Sequence, residues 1–237
     1  MDFKLEVPTS LEYFASLVQS DTEFPLLESA ICLAQDEYPE LDIQEVLGQV
    51  DQLVSRLKKR LPADAGSIHK LRVLNKFFFE EHGFSGNLNN YYDPDNSYLH
   101  VMLRTRRGIP ISLAVLWLEM AQGLGLNAQG VGFPGHFLVK VNLPDPHVGV
   151  IVLDPFTGQS LGRDDLLERM GQWLGDTDPG LGTRKTDVLL SQHLQACPPR
   201  RMVLRMLHNL QEIYRSRQNA PLLAALQQRI TIVDPAS

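Results

Sequence analysis

Three residues of this chain are of types that together perform acyl transfer: Ser112 in "RGIPISLAVLWLEMAQGLGL", His136 in "VGFPGHFLVKV" and Asp154 in "VGVIVLDPF". A serine hydroxyl is a weak nucleophile until an imidazole takes its proton during attack. The imidazole in turn needs a carboxylate to set its tautomer and stabilise its cation. Each residue also has a plainer reading by itself. Ser112 caps a helix, His136 is a satisfied structural histidine, and Asp154 with Pro155 starts a turn. Only their relative placement separates the two readings.

The elements around them bear on that placement. From Ile111 to Ala121 the chain is apolar almost all the way round, with Glu119 the only charge. This predicts a helix over 111–122 that is buried on most sides and stopped by Gly123 and Gly125. Ser112 falls in its first turn, where unpaired N–H groups and the positive end of the helix dipole suit a cap and equally an oxyanion. Downstream, "NAQGVGF", "GHFLVKVN" and "VGVIVLDPF" read as short strands between about 127 and 154. The "LPDPH" between the last two marks a hairpin, because two prolines do not fit a central ladder. A turn centred on Asp145 would set His136 opposite Asp154 on the same face of the sheet, and a slip of one residue would part them.

Before the buried helix, the first eighty residues read as helices. Thr9 and Ser10 cap one, Pro25 opens a second, and Asp42 with Glu45 stands at capping-box spacing ahead of a third. "SIHKLRVLNKFFFEEHGF" is a fourth, ending at Gly83, and Cys32 sits among apolar residues of the second as a core residue. The segment "GNLNNYYDPDN", residues 86–96, is a loop by composition. Its Asn90 and Tyr91 could line a cleft, or its asparagines could simply tie the loop down. After residue 156 a connecting stretch runs to about 195, and two helices with a short link follow in 201–237.

Composition narrows the function classes. With 237 residues and 43% hydrophobic content the chain can bury a proper core without staples. Twenty-two basic against 28 acidic residues, with a pI near 5.6, disfavour nucleic acid as a partner. Local basic clusters stand at 58–60, at Arg104, Arg106 and Arg107, and at Arg200, Arg201 and Arg205; Arg107 could attract an acidic substrate group or belong to a solvated face. Cys32 and Cys197 show neither metal nor disulfide spacing, and Cys197 reads as a helix-start or loop residue. No cofactor or metal is expected. The sequence shows no leader and no apolar window of about eighteen residues, so a cytoplasmic, non-membrane protein is expected.

A helix-borne nucleophile position followed by His and Asp on consecutive antiparallel strands resembles the papain-like transglutaminase core. More closely, "GNLNNYYDPDNSYLHVMLRTRRGIPISLAVLW", "GVGFPGHFLVKV" and "VLDPF" resemble the bacterial SirB-type family, in which a transglutaminase-like domain precedes tetratricopeptide-like helices. The resemblance implies an α+β fold with a buried central helix, a small antiparallel sheet, N-terminal helices and a C-terminal helical extension. It implies a division into a transglutaminase-like domain over 1–195 and a tetratricopeptide-like pair over 196–237, where Leu207, Leu210, Tyr214 and Pro235 match the repeat pattern. One such unit cannot bury its own face and must pack on the preceding domain or on another chain. It also carries the histidine onto His136, the aspartate onto Asp154 and the nucleophile onto Ser112, where the wider superfamily has cysteine.

Two functions follow. In the first the protein is an amide or ester hydrolase or acyltransferase with Ser112 as nucleophile, His136 as base, Asp154 as its orienter, and Asn90, Tyr91 and Arg107 at the substrate. In the second it is a non-catalytic regulatory module that binds a peptide or protein partner through its cleft or its C-terminal helices.

Overall fold

The computed structural model describes residues 8–144, 149–174 and 183–235. The N-terminal helices are α1 (Ser10–Leu17), α2 (Leu26–Cys32), α3 (Ile43–Lys58) and α4 (Ser67–Asn75), the last continuing as a π-helical turn over Lys76–Glu81. Their caps are those the sequence announces. Thr9 and Glu12 form a reciprocal capping box, and Asp42 accepts from the N–H groups of Gln44 and Glu45. Two-residue strands β1 (Ser85–Gly86) and β2 (Arg107–Gly108) pair in parallel and flank α5 (Leu99–Thr105).

Helix α6 (Pro110–Gly123) is the centre of the molecule. Eleven of its residues are buried, and the one charge, Glu119, reaches the margin, where burial followed by the proximity of Asp51 pushes its carboxyl up. Fully buried Trp117 donates its indole N–H to Asn75 Oδ1 at 3.1 Å, so the helix is registered against α4 by a bond its apolar faces could not supply. Against α6 lies an antiparallel sheet in the order β3 (Ala128–Val131), β4 (Leu138–Leu143), β5 (Gly149–Leu153) and β6 (Ser160–Leu161).

The hairpin register differs from the sequence expectation by two residues: Val139 faces Leu153 and Val141 faces Ile151. A shift of two preserves which side chains share a face, whereas a shift of one would have reversed them. The turn residues 145–148 lie outside those described. His136 also stands ahead of β4, in the turn Pro134–His136, not inside the strand.

The stretch after 156 departs from the expectation of a simple connection. It holds β6 and two helices, α7 (Arg163–Leu174) and α8 (Thr183–His193). Leu166 and Met170, one turn apart on α7, join Val131, Phe133, Leu138, Val152 and Leu190 in a second apolar cluster beneath the outer face of the sheet.

Helices α9 (Pro199–Ser216) and α10 (Ala220–Val233) form an antiparallel pair that shares the main core with α1, α2 and α6, so this pair is not independent of the preceding residues. Polar ties fix it there. Tyr214 bonds both Tyr98, at 2.7 Å between hydroxyls, and Glu37, while the fully buried Arg229 makes a two-pronged pair with Asp36 at 2.6 and 2.7 Å over the ring of Phe14. Among the described residues no helix is long and apolar enough to cross a membrane.

Candidate functional site

His136 and Asp154 come together just beyond the end of the β4–β5 ladder. Nε2 of His136 lies 2.8 Å from Asp154 Oδ1. The approach is set by two tight turns. On one side Gly135, at φ +66°, reverses the chain so that the His136 N–H donates to Phe133 O at 3.1 Å. On the other, Asp154 opens a turn closed by Gly158 N–H on Asp154 O at 2.8 Å and by Asp154 N–H on Gln159 O at 2.9 Å.

The Asp154 carboxylate is 1% exposed and fully used. Oδ1 also accepts the Phe156 N–H at 2.9 Å, and Oδ2 accepts from Arg169 of α7 at 2.9 Å. Burial pushes this carboxyl up, but the hydrogen bond and charge of His136, the Phe156 N–H and Arg169 outweigh it and hold it down at about 2. Asp154 is therefore an anion at neutral pH, and it fixes the imidazole by one nitrogen. The other, Nδ1, has no hydrogen-bond partner among the described residues and is available to solvent or to a ligand.

Around the pair is a cleft of about 660 Å³ lined by Pro134, Gly135, His136, Gln159, Arg169 and Trp173. Trp173 lies across Gly135 so closely that a Cβ there would fall 1.7 Å from the indole. On the other side Phe156 packs over Gly86, its ring centre 6.1 Å from both His136 and Tyr91. Tyr91 thus reaches the site through Phe156 and continues edge-on to Tyr92, which is largely exposed.

Ser112 is placed differently. Its hydroxyl is wholly buried, donates to Asn96 O at 2.6 Å, accepts the Ile109 N–H at 3.1 Å, and lies 3.1 Å from Ile109 O. Three residues after the N-cap Ile109, it provides the return half of a capping box and at the same time ties the loop before α5 to α6. Among the described residues no hydrogen bond joins it to His136. Asn90 bonds Asp93 within its own loop, and Arg107 donates to the carbonyls of Gly83 and Arg106; neither touches the His136–Asp154 pair.

Arg169, Phe156, Trp173 and Arg205 are site residues that sequence reasoning missed. Arg205, from α9, donates to the His136 carbonyl at 3.0 Å. The available signal for Arg169 and Trp173 was their spacing of four on one face of a helix whose adjacent face carries Leu166 and Met170. Among the described residues no group of three or more His, Cys, Asp or Glu could hold a metal ion.

A buried helix packed on an antiparallel sheet, with His and Asp joined at the strand ends, defines a transglutaminase-like domain, and residues 44–208 match the transglutaminase-like superfamily. The chain belongs to that superfamily and, within it, to the UPF0162 family of bacterial proteins. It is 38% identical over 206 residues to a UPF0162 protein of Xylella fastidiosa strain 9a5c, covering 86% of this chain and 70% of the relative. It is 27% identical over 209 residues to UPF0162 protein PA3419 of Pseudomonas aeruginosa, covering 88% of this chain and 71% of that one. A more distant likeness is to F-box only protein 21 of Homo sapiens, 28% identical over 148 residues, covering 53% of this chain and 24% of the human protein. No solved structure matches.

Proposed function

We propose that this protein is a binding module whose transglutaminase-like cleft holds a peptide segment of a protein partner, with His136, Asp154 and Arg169 shaping and polarising the cleft instead of activating a nucleophile. The observation that supports this most is the state of Ser112. A catalytic serine must give its proton to the base as it attacks. Here the hydroxyl is already engaged as a donor to Asn96 O inside a fully buried cap. Freeing the hydroxyl would take one hydrogen bond each from the Ile109 N–H and Asn96 O, which would keep only their longer 3.3 Å bond to each other, at about 0.5–1.5 kcal/mol for each bond lost.

Exposed aromatic side chains support the same reading. Trp173 in the cleft lining, and Tyr91 and Tyr92 beyond Phe156, are among the few large apolar side chains left exposed among the described residues, and aromatic residues of this kind anchor peptide and protein contacts. The SirB-type resemblance supplies the expectation of a regulatory association, and the acidic charge balance disfavours nucleic acid as the partner. A second reading, hydrolysis or acyl transfer through Ser112, is favoured by the 2.8 Å His136–Asp154 bond and requires the serine to leave its cap.

An immobilised peptide array probed with purified protein separates the two. Peptides captured by wild type should still be captured by Ser112→Ala and lost by Tyr91→Ala and Trp173→Ala. Ester or amide turnover, or fluorophosphonate labelling, that disappears in Ser112→Ala would overturn the binding reading in favour of the enzyme.

A further inference from the structure

Arg200, Arg201 and Arg205 cluster in sequence, but the fold divides them. Arg200 is consumed by structure: it pairs with Asp21 at 2.6 Å, donates to Val18 O and Val233 O at 2.6 and 3.1 Å, and lies over the ring of Phe24. Arg201 and Arg205 turn the other way. With His208 they recur at intervals of four and three on one face of α9, and that face lines an open cavity of about 520 Å³, together with His193 of α8 and Cys197.

Arg205 is the better fixed of the two. Its Nη2 donates to His136 O at 3.0 Å and its guanidinium carbon stands 5.4 Å from the centre of the Phe137 ring. Half-buried as it is, the other guanidinium nitrogens carry no hydrogen bond among the described residues. Among those residues no carboxylate comes within 4.0 Å of the guanidinium of Arg201 or Arg205. Asp234, on the rim, is the one acidic side chain among the residues lining the cavity. A guanidinium partly withdrawn from water without a carboxylate has lost hydration that a bound oxyanion restores, in a planar fork matched to two oxygens.

We propose that this cavity is an anion site that takes the phosphate or carboxylate group of a small ligand, with Arg205 as the fixed donor at its floor and Arg201 closing over it from the rim. The site is distinct from the His136 cleft and does not depend on how that cleft is read, although Arg205 touches the backbone of both.

Cys197 gives a built-in reporter. It lines the cavity and is partly exposed, whereas Cys32, the chain's other cysteine, is wholly buried. Alkylation of Cys197 by iodoacetamide, followed by mass spectrometry on the full chain, should be slowed about fivefold by millimolar inorganic phosphate or succinate relative to sodium chloride of equal ionic strength, as expected for a site about four-fifths occupied. Because both arginines influence the thiol directly, the quantity compared is the ratio of rates with and without anion within each variant. Arg201→Gln, at an exposed position that folding tolerates, and Arg205→Lys should each bring that ratio close to the chloride value. Protection by phosphate alone assigns a phosphate ligand, and protection by succinate alone a carboxylate. Protection no greater than chloride gives, or protection undiminished in Arg201→Gln, overturns the proposal.

Discussion

Replacing Asp154 by asparagine should remove a pH-dependent part of the stability of this fold. The Asp154 carboxyl is held at about 2, against 3.8 for a free aspartate. That difference corresponds to stabilisation on the order of 2 kcal/mol, with no discount for solvent screening because the side chain is 1% exposed. The sign follows from the direction. A carboxyl whose folded value is depressed binds its proton more readily in the unfolded chain, so its contribution is complete above about pH 5 and is lost as the pH falls toward 2. By about pH 2.5 more than half of it should be gone. Urea unfolding followed by circular dichroism at steps from pH 6 to about 2.5, on wild type and Asp154→Asn in parallel, isolates this residue, since the other carboxylates titrate in both. The gap between the two proteins should narrow by that amount in acid. A gap constant to within about 0.5 kcal/mol across the range would refute the reasoning, because the anion would then gain nothing from His136, the Phe156 N–H and Arg169.

Ser112→Ala should lower stability by about 1–2 kcal/mol, read from urea midpoints, since it removes the hydroxyl's bonds to the Ile109 N–H and Asn96 O and leaves those groups only their 3.3 Å bond to each other; an unchanged midpoint would mean that the cap contributes nothing. Gly135→Ala should cost more than about 1 kcal/mol, read from urea midpoints, through its left-handed backbone and because its Cβ would meet the indole of Trp173. Asp36→Ala should destabilise by about 3–5 kcal/mol in denaturant titration, because it strands the guanidinium of a wholly buried Arg229. Tyr214→Phe removes the hydroxyl linking Tyr98 to Glu37 and should cost about 1–2 kcal/mol, with hydrogen exchange rising first in α9 and α10.

Much of the fold is legible along the chain because it rests on local rules. The Thr9 cap, the spacing of Asp42 and Glu45, and the all-round apolar character of 111–121 act over a turn or two, and each element stands where those signals place it. The partnership of His136 and Asp154 also survived a hairpin register displaced by two residues, since both residues stand past the end of the ladder and strand alternation is unchanged by an even shift. Helices α7 and α8 were obscured because glycines, aspartates and a proline between them give the whole stretch the composition of a loop, although Leu166 and Met170 carry a helical spacing. Arg169 and Arg205 join the site from 15 and 69 residues away, across contacts that no local pattern encodes.

The sequence by itself determined which chemistry-bearing groups exist and which of them begin or end an element: a hydroxyl in the first turn of a buried helix, an imidazole and a carboxylate at strand ends, two arginines one turn apart. Tertiary structure decided what each group faces. Ser112 meets Asn96 O, sixteen residues upstream, because the short loop before α5 folds back on the helix start, and a buried hydroxyl gives its proton to the nearest acceptor available. Arg200 meets Asp21 across 179 residues while its neighbour Arg201 turns to the cavity, because consecutive positions on a helix point about 100° apart and so face different neighbours.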